Sequence, residues 1–243
     1  MLSAIPHAHA SGLPGWAHSS VSRASIASAI TAARVMAVIR LPTSSHVHDA
    51  VRALIDGGMR VIEITMTIPG ALNQIEQLAA AVPDGVVLGA GTVIDSGTAI
   101  AAIDAGARFV VSPVCRFAMI EACHDRGVVM MPGCLTPTEI LAAHEAGADF
   151  VKVFPASAVG PAFIRDIKGP LPGVRLVPTG GIGIEQAAEW LLAGASAVGV
   201  GGGVVDPQAI AAGDFRALTA AATRLTTSVR DVPLPPDQAY LRG

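Results

Sequence analysis

From Val35 onward, short runs of β-branched and other apolar residues alternate with longer Ala-rich stretches. The runs predict eight strands, at Val35–Arg40, Arg60–Thr65, Val86–Gly91, Arg108–Ser112, Val128–Pro132, Asp149–Phe154, Arg175–Pro178 and Ala197–Val200. Helix-like stretches separate them, near 46–57, 70–82, 96–105, 116–126, 137–146, 161–168 and 184–193, with a last one at 207–226. Several of these stretches close on the same phrase: Asp56-Gly-Gly-Met-Arg60, Asp104-Ala-Gly-Ala-Arg108, Glu145-Ala-Gly-Ala-Asp149 and Ala193-Gly-Ala-Ser196. A glycine just past a helix supplies the positive φ that stops it, and a strand follows at once. Eight such units without a clear boundary predict an α/β fold of the (β/α)8 TIM-barrel type. A doubly wound sheet uses the same alternation and stays open as the other architecture. Residues 22–33 are expected to form an N-terminal helix capping the barrel, within a barrel domain spanning 22–227. Residues 1–21 read as a flexible N-terminal extension. Residues 228–243, with the prolines of Asp231-Val-Pro-Leu-Pro-Pro236, read as an extended C-terminal tail.

Composition narrows the function class. The chain is 51% hydrophobic, 14% charged and only 4% aromatic, so its core must be aliphatic, as parallel strands covered by helices require. A net charge of −3 with no dense Lys/Arg cluster argues against nucleic acid as a partner. Gly, Pro or charged residues interrupt every apolar run before it reaches the ~20 residues of a membrane span, so no membrane partner is expected. Met1 to Ser20 lacks a basic segment followed by an apolar one and does not read as a signal peptide. Three cysteines outside any CxxC pair fit a reducing, cytoplasmic setting. The seven histidines form no metal constellation, since His46 and His48 are two apart and do not share a helical face.

Against that background one residue stands out. The chain has two lysines, and Lys152 lies in the apolar run Asp149-Phe-Val-Lys-Val-Phe-Pro155. Strand alternation puts Phe150, Lys152 and Phe154 on one face and Val151 and Val153 on the other. Burial lowers a lysine's pKa, and the neutral amine is a nucleophile toward ketones. Strand two repeats the device: Val61, Glu63 and Thr65 share a face opposite Ile62 and Ile64, which turns Glu63 inward. A Schiff-base lysine with a carboxylate proton shuttle is one reading of this pair; a buried structural ion pair is the other. Two glycine clusters, Pro178-Thr-Gly-Gly-Ile-Gly183 and Gly199-Val-Gly-Gly-Gly203, follow strands seven and eight, where barrels hold phosphate. Arg40 ends strand one, and Thr92 follows Gly89-Ala-Gly on strand three; both are candidate anion ligands.

Ile62-Glu-Ile-Thr, Gly89-Ala-Gly-Thr-Val, Val111-Ser-Pro, Met131-Pro-Gly-Cys-Leu-Thr-Pro-Thr-Glu, Phe150-Val-Lys-Val-Phe-Pro and Pro178-Thr-Gly-Gly-Ile resemble the class I KDPG/KHG aldolase family, in order over about residues 34–212. The resemblance implies a homotrimer that uses no metal or other cofactor and acts on a small keto-acid phosphate through a Schiff base. It implies Lys152 as the Schiff-base lysine and Glu63 as general acid/base. It further implies Thr92, Pro113 and Phe154 around the pyruvyl group, with Thr179, Gly180, Gly181, Gly201 and Gly202 at the phosphate. Two positions depart from the KDPG aldolase pattern. Thr67 stands where an arginine commonly contacts the substrate carboxylate, and Gly202 stands where the last phosphate loop usually has a serine. The first departure, with Ile39-Arg40, is similar to the 2-keto-3-deoxy-6-phosphogalactonate aldolases, in which the strand-one arginine is a substrate ligand.

Overall fold

A computed structural model describes residues 22–233; the expected extension 1–21 and the end of the expected tail, 234–243, lie outside the described residues. The chain starts with α1 (Arg23–Ala33) and β1 (Val35–Ile39), then α2 (Val47–Asp56), β2 (Val61–Thr65), α3 (Ala71–Ala81), β3 (Val87–Gly91), α4 (Ser96–Asp104), β4 (Phe109–Val111) and α5 (Phe117–His124). It continues with β5 (Val129–Met131), β6 (Gly133–Cys134), α6 (Pro137–Glu145), β7 (Val151–Val153), α7 (Pro161–Lys168), β8 (Leu176–Pro178), α8 (Ala187–Leu192), β9 (Val198–Val200), α9 (Pro207–Ala211) and α10 (Phe215–Val229).

All strand pairings are parallel, but they do not form the expected closed eight-stranded barrel. The hydrogen-bonded order β5-β4-β3-β2-β1-β9 makes a six-stranded half-barrel sheet, and β6-β7-β8 makes a separate three-stranded one. The expected fifth strand ends at Met131, before Pro132, which has no N–H to give to a ladder, and the short β6 starts just past it. The Pro132 carbonyl still accepts from Lys152 N at 2.9 Å, so the residues beyond it pair with β7 rather than β4. On the other side, Pro178 ends β8, and β8 and β9 share no ladder: an isolated bridge, Thr179 to Gly199, and a bond from Ser196 N to Leu176 O at 2.8 Å link them instead. The alternation of strand and helix was legible; closure was not, because it depends on ladder bonds at two prolines.

Alternation divides the buried residues into two layers. Val35, Ala37, Ile39, Ile62, Ile64, Leu88, Ala90, Val151, Val153 and Leu176 pack outward with the helices. Met36, Val38, Val61, Val87, Phe109, Val129, Phe150 and Val177 pack inward, where both sheets contribute. Ile26, Ala27 and Ile30 of α1 join this inner layer and cover it from the N-terminal ends of the strands. Local signals set the helix ends. Ser22 and Asp95 cap α1 and α4, and Thr136 and Glu139 form a capping box on α6 with Pro137 in its first turn. In the recurring stop phrases, Gly58, Gly106, Gly147 and Gly194 all take φ between 92° and 108°, a range that suits glycine.

Candidate active site

Glu63 sits at the middle of β2, level with Val38 of β1 and Gly89 of β3. Its neighbours Ile62 and Ile64 belong to the outer layer, so its own side chain points inward, with 0% of the residue exposed. The space for its carboxyl group comes from β3. A Cβ on Gly91 would lie 1.7 Å from Glu63 Oε1, so only glycine leaves the carboxyl where it is. Both carboxyl oxygens are buried and make no hydrogen bond to the protein. Burial pushes the Glu63 pKa up, and the positive charges of Lys152 and Arg40 only partly offset it.

Lys152 is the central residue of β7, paired with Gly133 on one side and Val177 on the other. Val151 and Val153 pack outward, Phe150 inward, and Lys152 is 5% exposed. Its Nζ lies 4.8 Å from the centroid of the half-buried Phe154 ring. Burial lowers its pKa; the charge of Arg40 lowers it further, and Glu63 acts in the opposite sense. Among the described residues the two groups make no direct ion pair. A structural ion pair is therefore a poor account of them. Desolvation dominates both groups, which leaves a proton acceptor stronger than an ordinary carboxylate and an amine that gives up its proton more readily.

Arg40 follows β1 directly and is exposed. Its Nη1 donates to Thr67 Oγ1 at 2.8 Å and its Nη2 to Thr92 Oγ1 at 2.9 Å. Thr67 shares a 2.9 Å hydrogen bond with the hydroxyl of Thr65, which is 0% exposed. Thr92 holds φ at 59°, a left-handed conformation uncommon for a β-branched residue. One guanidinium thus joins the C-terminal ends of β1, β2 and β3. At position 67, where the resemblance implied an arginine, the threonine hydroxyl accepts from the arginine that follows β1.

The two glycine clusters come together as well. Thr179, 5% exposed, bridges to Gly199, and a Cβ on Gly203 would lie 3.5 Å from Ile184 N. Gly180 and Gly181 take φ of 100° and 76° and pack against Phe154 and Ser157, with Ser157 N donating to Gly180 O at 3.0 Å. Gly201 O accepts from both Val204 N and Val205 N at 2.9 Å, which folds the second cluster into a turn. Gly202 is exposed with nothing within 4 Å of a Cβ placed on it, so sterics do not explain the missing serine there. Pro113 lines a cleft of about 460 Å³ that it shares with Phe117, Gly133, Leu135, Ala142 and Phe154. That cleft runs along α5 and α6 and meets the lysine side of the interior through Gly133 and Phe154.

Two contributors were not assigned roles from sequence. Thr65 was placed on the Glu63 face by alternation, but its hydroxyl contact needs the turn after β2. Gly91 lies inside a quoted motif, yet its reason, the Glu63 carboxyl, is visible only across strands. Among the described residues no group of three or more His, Cys, Asp or Glu is placed to hold a metal ion, and no helix is long and apolar enough to cross a membrane.

The family model described as KDPG and KHG aldolase matches residues 26–221. The chain belongs to this family. It is 41% identical over 187 residues to the 2-dehydro-3-deoxy-phosphogluconate aldolase of Treponema pallidum (strain Nichols), an alignment covering 75% of this chain and 89% of that one. It is 36% identical over 183 residues to the probable 2-dehydro-3-deoxy-6-phosphogalactonate aldolase of Rhizobium meliloti (strain 1021), covering 75% and 86%. Among solved structures, a KDPG aldolase from Legionella pneumophila, with pyruvate captured as a covalent carbinolamine, superposes with a TM-score of 0.74 at 31% identity, over 82% of this chain and 97% of that one. The protein is a class I aldolase, a carbon–carbon lyase.

Proposed function

We propose that this aldolase cleaves a 2-keto-3-deoxy-6-phospho sugar acid of the KDPG type to pyruvate and glyceraldehyde 3-phosphate, with Lys152 as nucleophile and Glu63 as acid/base. The neutral Lys152 amine adds to the C2 carbonyl, and the carbinolamine loses water to give an iminium. The Glu63 carboxylate takes the C4 hydroxyl proton as the C3–C4 bond breaks, and the bonding pair flows into the iminium to give an enamine. The aldehyde departs. Protonation at C3 and addition of water then release pyruvate and restore the amine. Arg40 and Thr92 are suited to the carboxylate end of the substrate. The turns at Thr179, Gly180 and Gly181 and at Gly201 and Gly202 offer backbone N–H groups to the phosphate, while Pro113 and Phe154 provide apolar walls. The single observation that carries this reading is the pair itself: a buried amine and a buried carboxyl from separate sheets, unpaired, each biased toward its neutral form.

A second reading, the galactonate epimer at C4, is favoured by the placement of Arg40 on Thr67 and Thr92, and relatives of both names are similar to this chain. A lactate-dehydrogenase-coupled assay decides between them. One phosphorylated epimer should release pyruvate well ahead of the other and of 4-hydroxy-2-oxoglutarate. No pyruvate from any of the three would overturn the reading.

The enzyme is further inferred to work as a cytoplasmic homotrimer. Apolar Val114, Phe117 and Leu141, exposed at 42%, 55% and 36%, support a subunit contact beside the α5–α6 cleft. Light scattering should give three times the chain mass of 24.6 kDa, and a monomer at micromolar concentration would contradict the trimer.

A further inference from the structure

Arg40 is exposed, and a long exposed side chain keeps one position only if something holds it. Three hydroxyls do so. Thr67 and Thr92 each take one N–H from the two terminal nitrogens, and the fully buried Thr65 shares its hydroxyl with Thr67 from behind. A guanidinium has five N–H donors, so two bonds to threonines leave three for a ligand. The anchored head is planar and permanently charged, the form that matches a carboxylate in two-point contact. The strained backbone at Thr92 adds a second sign that this corner is built for binding rather than for stability, since such strain clusters at ligand sites.

We propose that Thr67, backed by Thr65, is a positioning residue for this enzyme: it holds the Arg40 guanidinium at the mouth of the site so that Arg40 binds the substrate's C1 carboxylate. This rests on the aldolase reading above and deepens it, because it locates carboxylate recognition in a hydrogen-bonded relay from β2 to β1. The same placement acts on the catalytic pair. Glu63 and Arg40 are the charged groups that act on Lys152, and Lys152 and Arg40 those that act on Glu63. The Arg40 charge lowers both pKa values. Letting it swing into solvent therefore lets both groups keep their protons to higher pH.

Thr67→Val keeps the shape and removes the hydroxyl. It is expected to raise KM for the keto acid by about tenfold, the effect of losing one hydrogen bond to a charged group, with kcat changed far less. The acid limb of kcat/KM should move to higher pH. Thr67→Ser should restore both values, and in an Arg40→Met background Thr67→Val should add nothing further. A structural role alone would shift the melting temperature without moving the pH limb. Wild-type KM and pH profile in folded Thr67→Val, or full additivity with Arg40→Met, would overturn the proposal. If Thr67→Val does not fold, Thr67→Ala removes the same hydroxyl and must give the same KM increase and limb shift. Trapping of pyruvate on Lys152 of the unmutated enzyme is run in parallel. Its absence would count against the aldolase reading, whereas trapping together with an unaffected Thr67→Val would sink only the positioning role.

Discussion

Lys152→Met is expected to lower pyruvate release by on the order of 10⁴- to 10⁶-fold, as removal of a covalent nucleophile does elsewhere. The chain has no stand-in. Its other lysine, Lys168, ends α7 and donates to the carbonyls of Pro172 and Val174 at 2.6 and 2.9 Å. The same substitution is expected to leave the fold intact and the melting temperature unchanged or higher. The sign follows from linkage. The folded-state pKa of Lys152 is depressed by burial, so below its ordinary value the unfolded chain binds the proton more readily than the folded one. At neutral pH the lysine therefore costs stability, and the cost grows as pH falls toward its folded-state pKa. Methionine fills a similar volume without that cost. Thermal melts at neutral pH alongside the coupled assay check both parts; a dead enzyme that is also strongly destabilised would point to a structural lysine.

Glu63→Gln is the second large effect, with kcat expected to fall by ~10²–10⁴-fold, the usual contribution of a positioned acid/base group. Glutamine keeps the shape beside Gly91 and removes the charge. The residual activity carries a more specific signature. The Glu63 charge raises the Lys152 pKa, so its removal lowers that pKa further and moves the lysine-controlled acid limb to lower pH. Stability has its own sign here. The folded pKa of Glu63 is raised by burial, so the folded chain holds the proton above the ordinary value of 4.5, and stability falls as pH rises through that window. Glu63→Gln should therefore flatten the melting temperature against pH on the neutral side. A rate within tenfold of the parent enzyme would remove Glu63 from the proton-transfer role.

How far the sequence carries these arguments differs from residue to residue. The inward faces of Glu63 and Lys152 follow from alternation alone, because Ile62, Ile64, Val151 and Val153 need the apolar side of their strands and leave one direction for the ionisable group. The helix stops at Gly106, Gly147 and Gly194 were equally visible, since a glycine between alanines at the end of a helical stretch has one common use. Closure of the sheet was not visible. Pro132 and Pro178 read as strand ends, but whether the strands beyond them re-pair depends on cross-strand N–H groups that one segment cannot specify. The site around Arg40 was half legible. An arginine at a strand end and a threonine where the family pattern has arginine were both apparent, whereas the bond between them spans 27 residues and two loops. The cleft shared by Pro113 and Phe154 was missed as a cavity, since its walls come from α5, α6 and the loop between β6 and α6.

The central claim is that the Lys152 amine becomes covalently bound to the keto acid. Because the chain has only two lysines, one experiment addresses it directly. The enzyme is incubated with pyruvate, reduced with sodium borohydride, digested, and the modified peptide sequenced by mass spectrometry. The account predicts a reduced pyruvyl adduct on Lys152, formed in the unmutated enzyme, formed more slowly in Glu63→Gln and not at all in Lys152→Met. An unmodified chain, or an adduct confined to Lys168, would contradict it.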